Sequence, residues 1–128
     1  MLDIATIHHV SINVTDLERA RRFYAGVLGL EEISRPVFDF PGAWYRLGDR
    51  QLHLIVHPPT RTLRGTAEIS SREGHFAVAI RDFDEARAHL ERAAVPFDAR
   101  ARGQTPWSQI FLSDPDGNLI EMSAERAG

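Results

Sequence analysis

Four residues, His9, His53, His75 and Glu121, have the side chains and the spacing for metal chemistry. Each lies in a run with the alternation of a β-strand. In Ile7-His8-His9-Val10-Ser11-Ile12-Asn13-Val14, one face carries His9, Ser11 and Asn13, and the other carries His8, Val10, Ile12 and Val14. His75 shares its face with Ala77 and Ala79, away from Phe76 and Val78. His53 is flanked by Leu52 and Leu54, and Glu121 by Ile120 and Met122, which point the other way. Neutral imidazoles with one carboxylate are good ligands for Fe(II), Mn(II), Ni(II), Co(II) or Zn(II), so one divalent ion per site is expected. A carboxylate in a strand interior is costly to bury unless paired, and a metal would offset that cost. Taken singly, each residue has a plainer reading. A lone strand histidine is more often structural, and Glu121 can face solvent or pair with Arg46 or Arg102. The joint pattern favours a site.

The elements that must position these residues come as a repeat. The segment HVSINVTDLERAR from His9 aligns with HFAVAIRDFDEAR from His75 at an offset of 66, bringing Asp16 onto Asp82, Ala20 onto Ala86 and Arg21 onto Arg87. His53 and Glu121 correspond at an offset of 68, so two extra residues are expected in the second unit's final turn. In each unit a strand leads through an Asp N-cap into a helix, over 17–28 and 83–94. Strands are expected over 31–35, 43–47 and 51–56, then 97–102, 108–112 and 119–123. The prediction is an α+β fold of two pseudo-symmetric βαβββ modules in one domain over 1–128. Module 1 covers about 5–57 and module 2 about 74–124. Between them, 58–73 is polar and turn-rich, and is expected to be a mobile linker. Pseudo-twofold packing of the modules would bring His9, His53, His75 and Glu121 into one cavity.

Composition narrows the function classes. With 43% hydrophobic and 26% charged residues the chain can build an ordinary globular core. A net charge of -3, with basic residues interleaved among acidic ones, argues against a nucleic-acid partner. The absence of cysteine excludes disulfides, thiolate catalysis and cysteine-based zinc sites. No signal-peptide pattern or membrane-length apolar run is visible, so a cytoplasmic protein with no membrane partner is the default expectation.

The stretches HHVSINVTDLERARRFYAGVLGL, GHFAVAIRDFDEARAHL and FLSDPDGNLIEM resemble the vicinal oxygen chelate superfamily. That superfamily holds glyoxalase I, extradiol dioxygenases, methylmalonyl-CoA epimerase, and fosfomycin and bleomycin resistance proteins. The resemblance implies a cup-shaped mixed sheet around a metal, with helices outside, usually in a homodimer. It places ligand roles on His9, His53, His75 and Glu121. His9, His75 and Glu121 match a His-His-Glu arrangement. His53 departs from the pattern, since glyoxalase I has Glu there and epimerases have Gln. The site is then either His₃Glu, or a triad with His53 beside it as a proton carrier that could titrate near neutrality. Glu121 would be a ligand and a base. The activity implied is that of a glyoxalase-like lyase or isomerase, which binds two adjacent oxygens of a small-molecule substrate and moves a proton. The alternatives are an Fe(II)-dependent extradiol-type dioxygenase and a non-catalytic drug-binding or resistance protein.

Weaker signals surround the site. Phe38, Phe40, Trp44 and Trp107 can line an apolar substrate pocket, although each alone reads as core. Arg46, Arg100 and Arg102 are candidates to hold a substrate carboxylate. His8 is expected to pack on the helix side, and His57 and His89 to lie on the surface. Asp114-Pro115-Asp116-Gly117-Asn118 is better read as a hairpin turn than as the start of an EF-hand, because no downstream acidic ligand follows.

Overall fold

Strand alternation builds the first sheet. The strands β1 (His9–Val14), β2 (Glu32–Ile33), β3 (Gly42–Leu47) and β4 (Arg50–Val56) pair in the order β1-β4-β3-β2. β1 and β4 run parallel, and the other pairs are antiparallel. Ala43, Tyr45, Leu52 and Leu54 form the buried face, together with Ala20, Phe23 and Tyr24 of the helical segment. Each fully buried large side chain there contributes about 1.5–3 kcal/mol. The computed structural model describes residues 1–101 and 105–125. It divides into two compact units, Met1–Thr62 and Leu63–Gly128.

The helix expected over 17–28 begins where Asp16 caps it, its carboxylate accepting from the Arg19 N–H at 3.0 Å. It does not continue as a uniform α-helix. After α1 (Leu17–Arg21) the chain widens into a π-helical turn over Arg22–Val27, with the Leu28 N–H donating to the Phe23 carbonyl five residues back. Such widening is rare and cannot be read from apolar spacing.

The second unit repeats the plan. It contains β5 (His75–Ala79), α2 (Phe83–Arg92), β6 (Phe97–Arg100), β7 (Ser108–Ser113) and β8 (Leu119–Ala124). The sheet order is β5-β8-β7-β6, again with one parallel pair, β5 with β8. Asp82 caps α2 by accepting from the Glu85 N–H at 2.9 Å. Phe83 and Leu90, seven residues apart, bury the inward stripe of α2. Ile110, Leu112, Ile120 and Met122 are buried in the sheet. The α+β fold with two βαβββ units is therefore present. The strand expected over 97–102 ends at Arg100, and Arg102 lies outside the described residues.

Register corrects one detail of the repeat. Ser11 stands opposite His53 and Ala77 opposite Glu121, as the offsets of 66 and 68 require. Trp44 faces His53 nine positions on, and Phe111 faces Glu121 ten positions on. So only one of the two extra residues lies in the final hairpin. The other lies between β5 and β7.

The connecting segment is more tethered than its composition predicts. Arg64 donates from Nε to the Gly117 carbonyl and from a terminal nitrogen to the Glu68 carbonyl, each at 2.8 Å. Ser113 Oγ donates to the Ala67 carbonyl at 3.2 Å. The turn that receives these contacts is self-bonded. The buried Asp114 carboxylate accepts from the backbone N–H groups of Asp116 and Asn118 at 2.9 Å, and from the Asn118 amide at 2.8 Å. This is the hairpin turn expected of the segment.

Candidate functional site

In the first unit, β1 and β4 bring His9 and His53 face to face. Their rings stack with centroids 4.2 Å apart, and the indole of Trp44 stacks on the other side of His53 at 3.9 Å. His53 is buried in this sandwich, and its Nε2 lies 2.8 Å from Gln51 Oε1. A carbonyl oxygen only accepts, so Nε2 donates and the lone pair rests on Nδ1. Burial pushes the His53 pKa down to about 4, helped by repulsion from His9, His8 and Arg35. The sequence left room for a group titrating near neutrality; the stack makes His53 a neutral imidazole there instead.

His8 departs from expectation as well. It is exposed rather than packed under the helix, and its Nδ1 lies 2.9 Å from His9 Nδ1. When the His9 Nδ1–H donates to His8, the lone pair of His9 falls on Nε2, the tautomer a metal ligand needs.

In the second unit, β5 and β8 place His75 against Glu121. His75 Nδ1 lies 2.8 Å from the Glu73 carbonyl and must donate to it. Nε2 then faces Glu121 Oε1 at 3.0 Å. The other carboxylate oxygen, Oε2, accepts from Ser123 Oγ at 2.6 Å and Gln109 Nε2 at 3.0 Å. Burial raises the carboxyl pKa of Glu121. The donors Ser123, Gln109 and His75, with the charge of His75, outweigh that and hold it below the ordinary value. Phe111 meets the His75 ring edge-on at 5.7 Å, at the position Trp44 occupies in the first unit.

The His75–Glu121 pair suits a divalent cation. With Nδ1 protonated, a neutral His75 would turn an Nε2 lone pair toward a carboxylate oxygen, two acceptors at hydrogen-bond distance. Only a second ring proton or a cation at that edge resolves the clash. Two donors bound cis to one ion at about 2.1 Å each lie about 3.0 Å apart, as His75 Nε2 and Glu121 Oε1 do. Among the described residues no group of three or more His, Cys, Asp or Glu side chains gathers as a metal cage, so what each unit offers is a pair.

The aromatic candidates divide between the units. Phe38 stacks on Phe40 at 5.1 Å and lies 6.2 Å from Trp44, so these three gather beside His53. Arg46 is mostly exposed and donates from Nε to Glu31 at 3.0 Å. Trp107 belongs to the second unit, half-buried, with its carbonyl accepting from Thr105 at 2.8 Å. Arg100 pairs with Asp98 at 3.0 Å and lies over the Phe111 ring. His57 and His89 are exposed, as expected.

Sequence reasoning missed five supporting groups: His8, Gln51, Glu73, Gln109 and Ser123. Alternation alone puts Ser123 on the face of Glu121, and Gln51 on that of His53, two residues away. The carbonyl of Glu73 carries no side-chain signal at all.

Comparison with known proteins agrees with this plan. The model of the family described as the glyoxalase/bleomycin resistance protein/dioxygenase superfamily matches residues 6–122. Glyoxylase I 4 of Arabidopsis thaliana is 28% identical over 94% of this chain and 71% of its own length. Catechol-2,3-dioxygenase of Bacillus subtilis is 29% identical over 94% of this chain but only 41% of its own length. A crystal structure of a glyoxalase family protein from Bacillus anthracis superposes with a TM-score of 0.82 at 24% identity, covering 98% of this chain and 99% of that one.

Proposed function

We propose, for a chain that belongs to the glyoxalase/bleomycin resistance protein/dioxygenase superfamily, that it is a metal-dependent enzyme of the glyoxalase-like lyase or isomerase type. It acts on a small substrate through two adjacent oxygens, with His9, His53, His75 and Glu121 as ligands of one divalent ion. The observation that carries this reading is the His75–Glu121 pair, an imidazole nitrogen and a carboxylate oxygen 3.0 Å apart with Nδ1 committed to the Glu73 carbonyl. When bound, a divalent ion of this kind supplies Lewis acidity where negative charge develops on substrate oxygen.

The chain's own residues divide the remaining work. Ser123 and Gln109 pin Oε2 of Glu121 and help hold its pKa below the ordinary value, which makes it a weaker base and favours its role as a ligand. Neutral His53 has a lone pair to donate at neutral pH but no proton to give as an acid. Trp44 holds that ring flat and keeps water from one of its faces.

Elemental analysis of gently purified protein tests the proposal, with about one divalent ion per site expected. Protein that comes without metal and takes up no Ni, Mn, Fe, Co or Zn would sink it. His9→Ala and Glu121→Gln should each abolish uptake. A second reading, an Fe(II)-dependent extradiol-type dioxygenase, draws support from the likeness to the Bacillus subtilis catechol-2,3-dioxygenase. Oxygen uptake across a panel of catechols by iron-reconstituted protein would select it over the first.

A further inference from the structure

Arg35 has no carboxylate partner among the described residues, although it is half-buried. Its guanidinium lies over two aromatic rings, 4.8 Å from the centroid of Phe38 and 5.0 Å from that of Phe40. One of its nitrogens donates to the Phe40 carbonyl at 2.8 Å. Gly42 leaves the space it occupies: a Cβ there would stand 3.0 Å from the Arg35 terminal nitrogen. The guanidinium is thus seated by backbone and rings, and most of its five N–H donors have no hydrogen-bond partner among the described residues. Its charge also reaches the buried His53 imidazole. Phe38, whose ring stacks on Phe40 and leads through Trp44 to His53, is 43% exposed as a residue.

We infer that Arg35 and the exposed face of Phe38 form a subsite for a planar aromatic acid, the guanidinium pairing with its carboxylate and Phe38 stacking on its ring. This rests on the metalloenzyme reading only in making that acid the substrate class; the subsite itself is built from the first unit alone. A plain structural role for Arg35, tying the 35–40 loop through the Phe40 carbonyl, needs one N–H. It accounts neither for the missing counter-charge nor for a cation seated against two rings. Cation–π contact offsets part of the desolvation of the guanidinium but leaves its charge unneutralised. A carboxylate can take two parallel N–H donors from such a fork.

The test is a titration of EDTA-treated protein with phenylacetate, phenylacetamide and cyclohexylacetate, followed by tryptophan fluorescence and by calorimetry. Because the metal has been removed, the outcome is independent of whether the ion is taken up. Phenylacetate should bind about tenfold or more tightly than the neutral amide, and more tightly than the non-planar acid. Arg35→Gln should erase the preference for acid over amide, and Arg35→Lys should restore part of it. Phe38→Ala should erase the preference for the planar acid. Equal affinities for acid and amide in the wild-type protein would overturn the inference, as would binding of none of the three. Retention of the acid preference in Arg35→Gln would also overturn it. If Arg35→Gln does not fold, the wild-type comparison and Phe38→Ala still decide.

Discussion

At the scale of residues, Glu121 is defined by who donates to it. Ser123 and Gln109 occupy Oε2 and leave Oε1 to His75, so the carboxylate is both ionised and half available. Ser123→Ala removes the shortest of these bonds and should weaken divalent-metal affinity roughly 10-fold, the usual cost of losing an outer-shell partner. Competition with a fluorescent chelator would measure it, and unchanged affinity would count against Glu121 as a ligand. His53 gives a pH signature. Its folded pKa of about 4 lies below the ordinary 6.5, so between those values the unfolded chain binds the extra proton. The His53 contribution to stability is therefore fully present above pH 6.5 and is lost as pH drops toward 4, by roughly 3 kcal/mol in the metal-free protein. Urea midpoints in EDTA across that window should show this slope, and His53→Gln should flatten it. Glu121 acts in the same direction but below its ordinary 4.5, so the upper part of the window belongs to His53. The four ligand-type residues were legible because alternation shows each on a face of its own strand. The Trp44–His53–His9 stack was not, since it depends on which strands pair and in what register. Arg35 was hidden for the same reason: its meaning lies in Gly42 and in two rings beyond Pro36.

At the scale of elements, caps and repeats read well from sequence because their physics is local. Asp16 and Asp82 each satisfy an N–H in the first turn of a helix, as their position before an apolar periodic run predicts. The π-helical widening was not legible, because α and π turns share nearly the same apolar spacing over one turn. The docking of the linker on the β7–β8 turn was equally hidden, since polar composition does not say what a backbone carbonyl will meet. Two glycines measure that docking. Gly48 in the β3–β4 turn has φ +62 with nothing near its missing Cβ, whereas Gly117 has φ +85 with the Thr66 carbonyl oxygen 2.1 Å from where a Cβ would stand. Gly48→Ala should cost about 1 kcal/mol of backbone strain. Gly117→Ala should cost about 2–3 kcal/mol, because the linker must also lift. Chemical denaturation of the two variants checks the ordering, and equal losses would mean that the linker contact contributes nothing to stability.

At the scale of the whole molecule, two pairs of ligand-type side chains come from two units that share one strand order. The chemistry is unequal: two imidazoles in one unit, an imidazole and a carboxylate in the other. On the four-ligand proposal the asymmetry matters, because three or four neutral and anionic donors together hold a divalent cation, whereas a pair of imidazoles alone holds it weakly. A double-mutant cycle separates the possibilities. If all four residues bind one ion, His9→Ala and His75→Ala each remove nearly the whole metal-induced stabilisation, and the double variant loses little more. That stabilisation should be about 2.7 kcal/mol with free metal at a hundred times Kd. If each unit bound metal on its own, each single variant would lose its own share and the two losses would add. Thermal unfolding of the wild type, both single variants and the double variant, with and without saturating Ni(II), therefore reads out whether the duplication produced one centre or two. Strong non-additivity is the expected result, and additive losses would break the four-ligand site into two weak ones.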